Sequence, residues 1–511
     1  MTRLFLLALL LVPQDEALKL KLRSRVETAP KSGRWHAVTK PASWDARRTA
    51  AIVCDMWDQH WCAGATSRVG EMAPRMNEVL SALRKKGALV IHCPSDTMGF
   101  YKDAPQRKLA QEAPKVETKV PLERWRKLDP AREGALPIDD SDGGCDDQPQ
   151  CKGRKAWSRQ IEAIRVEEGD AITDSAEAYH LMRQRGIENV LVMGVHTNMC
   201  VLGRPFSIRQ LVLQGLNVAL VRDLTDTMYN SRMKPNVSHF TGTDLVVEHI
   251  ERYWCPSVTS ADLLGGAPFR FKDDKRPHLV MVIAEDEYKT WETLPPFAIA
   301  HLGKDFRIST VFGNEKDLND LPGIEVLAGA DVALVSVRRR VLPKAQLEVI
   351  RKHVASGKPV VAIRTSSHAF SPRQGKPPEG SDAWPEFDAE VLGGNYKGHH
   401  GAPKPGGPRV LAWVAPGAEK HPILAGWPAG ETALTSSLYK TSPLSPSATV
   451  LLMGKVEGVE PHEPVAWIHA RKDGGKTFYA SPGGPDDFKL EAYARLLSNG
   501  VRWAAGVPAR E

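Results

Sequence analysis

A cysteine and an aspartate each stand close behind a short apolar segment in the first half of this 511-residue chain. Cys200 lies five residues after the run Asn189–Val195, and Asp55 lies near the end of the run Ala50–Met56. Continuous apolar runs predict strands buried on both faces. Because the carboxyl ends of parallel strands line one crevice, the thiol and the carboxylate are expected to meet there. A carboxylate beside a thiol can take its proton and later return it, which predicts nucleophilic catalysis.

The turn before Cys200 contains the other groups that such a reaction needs. Gly194–Val201 (GVHTNMCV) connects a predicted strand to a helix predicted within Met199–Gln214. N–H groups at a helix start favour a thiolate and can hold an oxyanion, so the pKa of Cys200 is expected to fall. The alternatives are a buried structural cysteine and an aspartate that caps a helix. His196 is either a base or a loop histidine that bonds the backbone.

Strand and helix patterns alternate in both halves of the chain and predict the α/β class. We expect two three-layer α/β/α domains, each with a mostly parallel sheet. Two polar stretches, 95–160 and 372–408, interrupt the alternation and are expected to be insertions, the first of them over the sheet edge. The expected order is a signal peptide (1–17), a linker (18–48), the first domain (49–265), a second linker (266–276) and the second domain (277–507).

Composition and the N-terminus indicate where the protein acts. A net charge of +7 over 511 residues is not the concentrated basic face that nucleic-acid binding requires, so no nucleic-acid partner is expected. Arg3 precedes the apolar run Leu4–Val12, which is shorter than the ~20 residues of a membrane-spanning helix. This pattern favours a secretory signal over a buried helix or an uncleaved anchor. The chain is expected to be exported to the periplasm or beyond, with no membrane span after signal removal.

An aspartate-rich segment at 139–147 lies within the first insertion. It lacks the regular ladder and terminal glutamate of a calcium loop, so a solvated loop is expected. Export would allow a disulfide between Cys145 and Cys151 that holds this loop.

Three segments of the first half resemble the isochorismatase-like cysteine hydrolases: Val53–Asp58 (VCDMWD), Gly194–Val201 and Val218–Asp223 (VALVRD). The resemblance spans about 49–264. It implies hydrolysis of a small amide or related C–N bond by an Asp–Lys–Cys triad, in which Asp55 and Cys200 are the first and last members. It also implies a cis peptide at Val195-His196. That turn, with Met199, would form the oxyanion hole.

Trp57, Arg204 and Arg222 are the candidates for substrate contact. Arg204 or Arg222 could clamp an anionic substrate, but a structural ion pair is the default expectation for each arginine. An acidic residue, Glu167, is expected at the position of the family's lysine. The positive charge of the missing lysine would then have to come from another residue. The candidates are Lys152, Lys155 and Arg165. No cofactor and no metal site are expected, because the Asp-x-His pair of nicotinamidases is missing after the strand that ends near His92.

Scattered segments of the second half resemble the ThuA-like (trehalose-utilisation) group of the class I glutamine amidotransferase-like fold. They are His278–Ala284, Val360–His368, His421–Gly426, Ala466–Ile468 and Asn499–Ala504. The nucleophile elbow would lie near Thr365–Ser367, where there is no cysteine, so glutaminase activity is not expected. Glu285, Ser366 and His368, with His399 and His400, are candidates for a carbohydrate pocket or are ordinary loop residues.

The sequence therefore predicts an exported cysteine-dependent hydrolase of small amides, with a small-molecule substrate and a ThuA-like accessory domain that binds carbohydrate. Two alternatives stay open. The first is a catalytically weakened ligand-binding protein, and the second is a ThuA-type sugar-modifying enzyme whose first domain is structural. A homo-oligomer is compatible with either.

Overall fold

The computed structural model describes residues 17–400 and 407–510, which fall into two compact units. Most of the expected signal peptide, residues 1–16, lies outside the described residues. Within the described ranges, no helix combines the length and the apolar character that a membrane crossing requires. The first unit contains residues up to Arg25, Val38–Pro235 and Gly242–Asp274, and the second contains Val26–Ala37, Asn236–Thr241 and the chain from Lys275 onward.

The first unit is built on an eight-stranded sheet with the order β2-β1-β8-β7-β6-β3-β4-β5. The strands from β8 to β5 are parallel to one another, and β1 is antiparallel to β8. The elements are β1 (Ala17–Glu27), β2 (Trp35–Asp45), β3 (Thr49–Cys54), α1 (Ala63–Lys85), β4 (Leu89–Cys93), α2 (Pro105–Gln111), β5 (Ala171–Ile172), α3 (Glu177–Gln184), β6 (Asn189–Val195), α4 (Cys200–Gly203), α5 (Ile208–Leu213), β7 (Asn217–Asp226), α6 (His239–Tyr253), β8 (Ser257–Val258) and α7 (Ser260–Leu264).

The segment 18–48, expected to be a linker, instead forms most of the strands β1 and β2. Leu18 and Leu20 are buried, whereas Lys19 and Lys21 are exposed. This alternation is the period of a strand with one face on the core. The prediction was wrong because the lysines between the leucines gave the segment the composition of a linker.

The second unit is built on a nine-stranded sheet with the order β10-β9-β11-β13-β19-β18-β17-β15-β16. Its first five strands are parallel and the remaining four are antiparallel. The elements are β9 (His278–Ala284), α8 (Thr290–Leu302), β10 (Arg307–Phe312), β11 (Val332–Val337), β12 (Leu342–Pro343), α9 (Lys344–Ala355), β13 (Val360–Ile363), β14 (Ser381–Asp382), β15 (Val410–Val414), β16 (Thr432–Leu434), β17 (Ala448–Val456), β18 (Val459–Ala470), β19 (Lys476–Ala480) and α10 (Glu491–Ala505). The predicted α/β class is confirmed for both units.

All seven cysteines are free thiols in the structure. The Cys145–Cys151 disulfide that export would allow is not present in the structure, and both sulfur atoms approach the carboxylate of Asp147.

Candidate active site

Asp55 emerges from β3 at the carboxyl end of the first sheet. Its backbone adopts a left-handed conformation (φ 47°), which aspartate tolerates better than most residues, and its side chain is fully buried. The N–H of Ser95, which follows the neighbouring strand β4, donates to Oδ1 at 2.7 Å. Among the described residues, the second carboxylate oxygen, Oδ2, has no hydrogen-bond partner. A buried acceptor without a donor is costly, so this oxygen is a candidate for contact with a reacting group.

The strand β6, which pairs with β3, ends in the turn that contains Cys200. The peptide between Val195 and His196 is cis, as the resemblance implies. Gly194 has φ 109°, and a Cβ there would lie 2.0 Å from the Cys54 carbonyl oxygen, so this close strand pairing requires glycine. The Thr197 N–H donates to the Asp226 carbonyl at 2.8 Å and fixes the turn.

The Cys200 thiol lies beside the Asp55 carboxylate, close enough for the two groups to interact electrostatically. Burial, followed by the negative charge of Asp55, raises the pKa of Cys200 well above its ordinary value. The predicted fall in the pKa of Cys200 is therefore wrong. The helix α4 has only four residues, and desolvation of the thiol outweighs the stabilisation that the N–H groups of this helix give to a thiolate. Burial also raises the pKa of Asp55, and Arg204 opposes this rise. At rest, both shifts favour the neutral form of each group over the charged form.

Arg204 provides the positive charge in this site. It lies one turn after Cys200, with Nε 3.6 Å from Asp55 Oδ2 and a terminal guanidinium nitrogen 3.7 Å from the Asp96 carboxylate. Its guanidinium also lies over the ring of Trp125, 5.6 Å from the centroid. Within the described ranges, the Arg204 Nε has no hydrogen-bond partner. The Arg204 guanidinium and the Asp55 carboxylate thus form an ion pair that is longer than a hydrogen bond, and within the described part of the chain Nε and Oδ2 each keep a free hydrogen-bonding capacity for a substrate or a water molecule.

Three residues expected in the site lie elsewhere or are already engaged. Glu167 is half-exposed and pairs with Arg84 at 3.4 Å, so it does not occupy a position beside Cys200. The Arg222 guanidinium donates to Ser257 Oγ at 3.1 Å, on the side of β7 that faces β8. The Met199 N–H is used within the turn, where it donates to the His196 carbonyl at 2.9 Å, so it does not serve an oxyanion. The first N–H of α4, that of Cys200, is the remaining candidate donor.

The other proposed sources of charge do not replace the lysine at Asp55. Lys155 Nζ donates to the Asp96 carbonyl at 2.7 Å, at the rim, and Arg165 accepts a bond from Arg84 through its carbonyl. Lys152 is exposed.

An aromatic wall beside the site was only partly predicted. Trp57 stacks on Trp157 with ring centroids 4.3 Å apart, and its Nε1 donates to the Ser95 carbonyl at 3.1 Å. His60 stacks on Trp157 and lies edge-on to His196 at 4.9 Å. Burial lowers the pKa of His60 to about 4, so its imidazole is neutral near pH 7. Trp157 belongs to the insertion 95–160, which therefore packs against the site as expected. The available signal was an aromatic residue in a stretch that is rich in polar residues.

The candidates in the second unit divide into structural residues and a cluster of rings. Glu285 is buried and accepts hydrogen bonds from the backbone of Glu287, Tyr288 and Thr290, so it fixes the turn after β9. Ser366 Oγ donates to the Val335 carbonyl at 2.7 Å. Both side chains are engaged in holding loops, and neither is available as a pocket group.

His368 belongs to the ring cluster. It stacks on Tyr396 at 4.5 Å, and Tyr396 lies 4.7 Å from Tyr439. Burial, followed by the charge of nearby arginines, lowers the pKa of His368 to about 3. His399 contributes to the edge of this cluster, 6.4 Å from Tyr439, whereas the His400 N–H bonds the Leu438 carbonyl.

Arg364 directly precedes Thr365–Ser367, the segment where the nucleophile elbow was expected. It follows β13 with φ 41°, and its guanidinium lies over the rings of Tyr288 (4.2 Å) and Tyr439 (4.5 Å). Arginine has no nucleophilic atom under ordinary conditions, because its guanidinium stays protonated. The elbow thus presents a cation within an aromatic cluster.

The family model described as ThuA, trehalose utilisation, matches residues 269–504. The second half of the chain is therefore similar to this family. This confirms the resemblance drawn from its scattered segments. No curated protein matches the sequence at a significant level.

Solved structures resemble each half. A ThuA-like protein from Bacteroides uniformis ATCC 8492 is 18% identical, with coverage of 47% of this chain and 95% of its own and a TM-score of 0.33. A cysteine hydrolase from Pseudomonas syringae pv. phaseolicola 1448A is 17% identical, with coverage of 43% and 92% and a TM-score of 0.28. An isochorismatase family protein from Burkholderia thailandensis is 16% identical, with coverage of 42% and 93% and a TM-score of 0.24. At these identities, no activity passes from them to this chain.

Proposed function

We propose that the first unit hydrolyses a small amide or a related C–N bond through a covalent intermediate on Cys200. One observation carries this proposal: a thiol, a carboxylate and a guanidinium converge, largely buried, at the carboxyl ends of β3 and β6. Nucleophile, base and supporting cation are the groups that acyl transfer to a thiol requires.

The mechanism begins with proton transfer from Cys200 to Asp55 as the sulfur attacks the substrate carbonyl carbon. The carbonyl oxygen becomes an oxyanion, for which the Cys200 N–H is the candidate donor. The C–N bond then breaks, Asp55 returns the proton to the leaving nitrogen, and a thioester remains. Asp55 next takes a proton from water, whose oxygen attacks the thioester. The acid departs and the proton returns to the sulfur. A carboxyl with a raised pKa suits this exchange, because its proton affinity lies closer to neutrality.

Arg204 is proposed to keep Asp55 ionised, the role that a lysine would otherwise have. An opposite charge within about 4–6 Å lowers a carboxyl pKa by about one to three units. Arg204→Gln should therefore move the acid limb of the kcat/KM profile upward by about one to three pH units, and Arg204→Lys should restore part of the shift. The measurement is the pH dependence of amide hydrolysis.

Arg222→Gln is the matched control for that profile. It changes a partly buried arginine of the same unit that bonds Ser257, so the acid limb should stay in place. An unmoved limb in Arg204→Gln would remove this arginine from the mechanism.

A screen of small amides tests the activity itself. The full-length protein is incubated with primary amides, ureido compounds and nicotinamide, and release of ammonia is measured. Rapid quenching followed by mass spectrometry of the intact chain should detect an acyl group on Cys200. A chain that binds an amide but never acylates Cys200 would be a binding protein, the alternative that the sequence left open.

We further propose that the second unit binds a carbohydrate. The supporting observation is the ring cluster of Tyr288, Tyr396, Tyr439 and His368 around Arg364. Aromatic faces pack on the C–H faces of pyranose rings, and a guanidinium donates to hydroxyls.

Titration calorimetry of the full chain with trehalose and simple pyranoses tests this second proposal. Tyr396→Ala should weaken binding about 2- to 10-fold, since an aromatic contact contributes about 0.5–1.5 kcal/mol. Trp413→Ala, which alters a ring of the same unit that packs on His462, should leave the affinity unchanged. Equal affinities in the two variants, or no binding by the wild type, would contradict the proposal.

Export stays a prediction from the N-terminal sequence.

A further inference from the structure

Three sulfur atoms approach one carboxylate oxygen at the start of α1. The Sγ atoms of Cys62, Cys145 and Cys151 lie 3.3, 3.4 and 3.2 Å from Asp147 Oδ2. The ligand atoms of Cys62, Cys145 and Asp147 all lie within 4.8 Å of one another. Cys62 comes just before α1, and the other three residues belong to the insertion 95–160, so the cluster joins two segments that are distant in sequence.

The three sulfur–oxygen distances are close to those in a tetrahedral metal site. Zinc bonds of about 2.3 Å to sulfur and about 2.0 Å to oxygen, at tetrahedral angles, place neighbouring ligand atoms about 3.5–3.8 Å apart. Small movements of the side chains would bring three thiolates and one carboxylate to those positions. Sulfur-rich tetrahedral sets select zinc over the harder magnesium and calcium ions.

Backbone N–H groups and an arginine around the cluster also hold the proposed ligands in position. The Gly64 N–H donates to both Asp147 oxygens, at 3.0 and 3.2 Å, and the Ala65 N–H reaches Cys62 Sγ at 3.5 Å. Arg68 forms an ion pair with Asp146, and thus places a positive charge beside a ligand set that would be strongly anionic. Outer groups of this kind orient metal ligands and support their negative charge.

We propose that Cys62, Cys145, Cys151 and Asp147 bind one zinc ion that fastens the insertion to the first turn of α1. The site is structural, because four protein ligands leave no open position for a substrate. It is independent of the proposed hydrolase activity, yet it lies close to the active site. Asp140, in the same loop, accepts a hydrogen bond from Asn198 at 2.7 Å, two residues before Cys200.

A disulfide between two of these cysteines is the competing arrangement. A disulfide would leave one of the three thiols unpaired. It would not explain why the carboxylate oxygen of Asp147 lies within hydrogen-bond distance of all three sulfur atoms. Metal analysis of the full chain, purified without metal-affinity steps and dialysed, should give about one zinc per chain. Cobalt substitution should give sulfur-to-cobalt charge-transfer bands and the d–d bands of a tetrahedral ion.

Single variants locate the site. Cys145→Ser and Asp147→Asn should each lose most of the zinc and weaken the cobalt bands, whereas Cys255→Ser, a buried cysteine outside the cluster, should retain both. Circular dichroism reports whether each variant is folded. Cys200→Ser should keep its zinc, so a failed hydrolase proposal and a failed metal proposal give different results.

Thiol titration of the denatured chain, with chelator and without reductant, separates the two arrangements. Seven reactive thiols are expected with a metal site, and five if two of the seven are joined. Five thiols, or a chain without zinc that also fails to bind added zinc or cobalt, would overturn the proposal.

Discussion

Cys200→Ser should abolish amide hydrolysis, with a loss of turnover on the order of 10⁴-fold or more. The sulfur is the only proposed nucleophile, and a serine hydroxyl beside Asp55 is far harder to deprotonate than a thiol. The rate of ammonia release from the best amide of the screen measures this loss. The acyl adduct seen after rapid quenching should disappear at the same time.

The control for this variant is Cys255→Ser. Cys255 is buried in the same unit but has no contact with Asp55 or Arg204 among the residues that the structure describes, so full activity is expected. If Cys200→Ser retained more than about a tenth of wild-type turnover, the covalent mechanism would be wrong. The ThuA-like half would then be the remaining candidate for any activity.

Asp55→Asn should slow hydrolysis by about 10²–10⁴-fold, the usual contribution of a positioned general base. The amide oxygen can still accept the Ser95 N–H bond that now lies at 2.7 Å, so the loss reports proton transfer rather than collapse of the turn. Alkylation of Cys200 by iodoacetamide should not fall in step with turnover, because the variant removes the negative charge that raises the pKa of the thiol. Both rates are measured on the full chain.

Asp96→Asn makes the same chemical change at the rim of the site. Asp96 is the other carboxylate close to Arg204, at 3.7 Å, but it is exposed and lies outside the proposed proton path. Its turnover should remain within a few-fold of the wild type. Equal losses in the two variants would indicate that Asp55 acts only through the charge of Arg204.

The pH dependence has a defined direction. Burial raises the pKa of Asp55, and the base must be ionised to act, so kcat/KM should rise with pH through a value above the ~3.9 of an ordinary aspartate. An acid limb at or below that ordinary value would contradict Asp55 as the buried base.

The sequence by itself determined the central strands and the residues at their ends. The runs 189–195 and 278–284 were predicted as strands with the bounds that β6 and β9 have, because strands buried on both faces are continuously apolar. Asp55 and Cys200 were likewise paired from sequence, since the carboxyl ends of neighbouring parallel strands converge. The helix predicted within 199–214 was interrupted, because Arg204-Pro205 separates α4 from α5.

Only the tertiary structure decided which charges surround the thiol. Arg204 rather than Glu167 stands beside Asp55, and Trp157 reaches the site from a long insertion. The pKa of Cys200 rises instead of falling, because burial is a property of the packed site that local sequence does not encode. The approach of Cys62 to Cys145 and Cys151 was equally unreadable, since it joins segments more than 80 residues apart whose spacing matches no local metal motif.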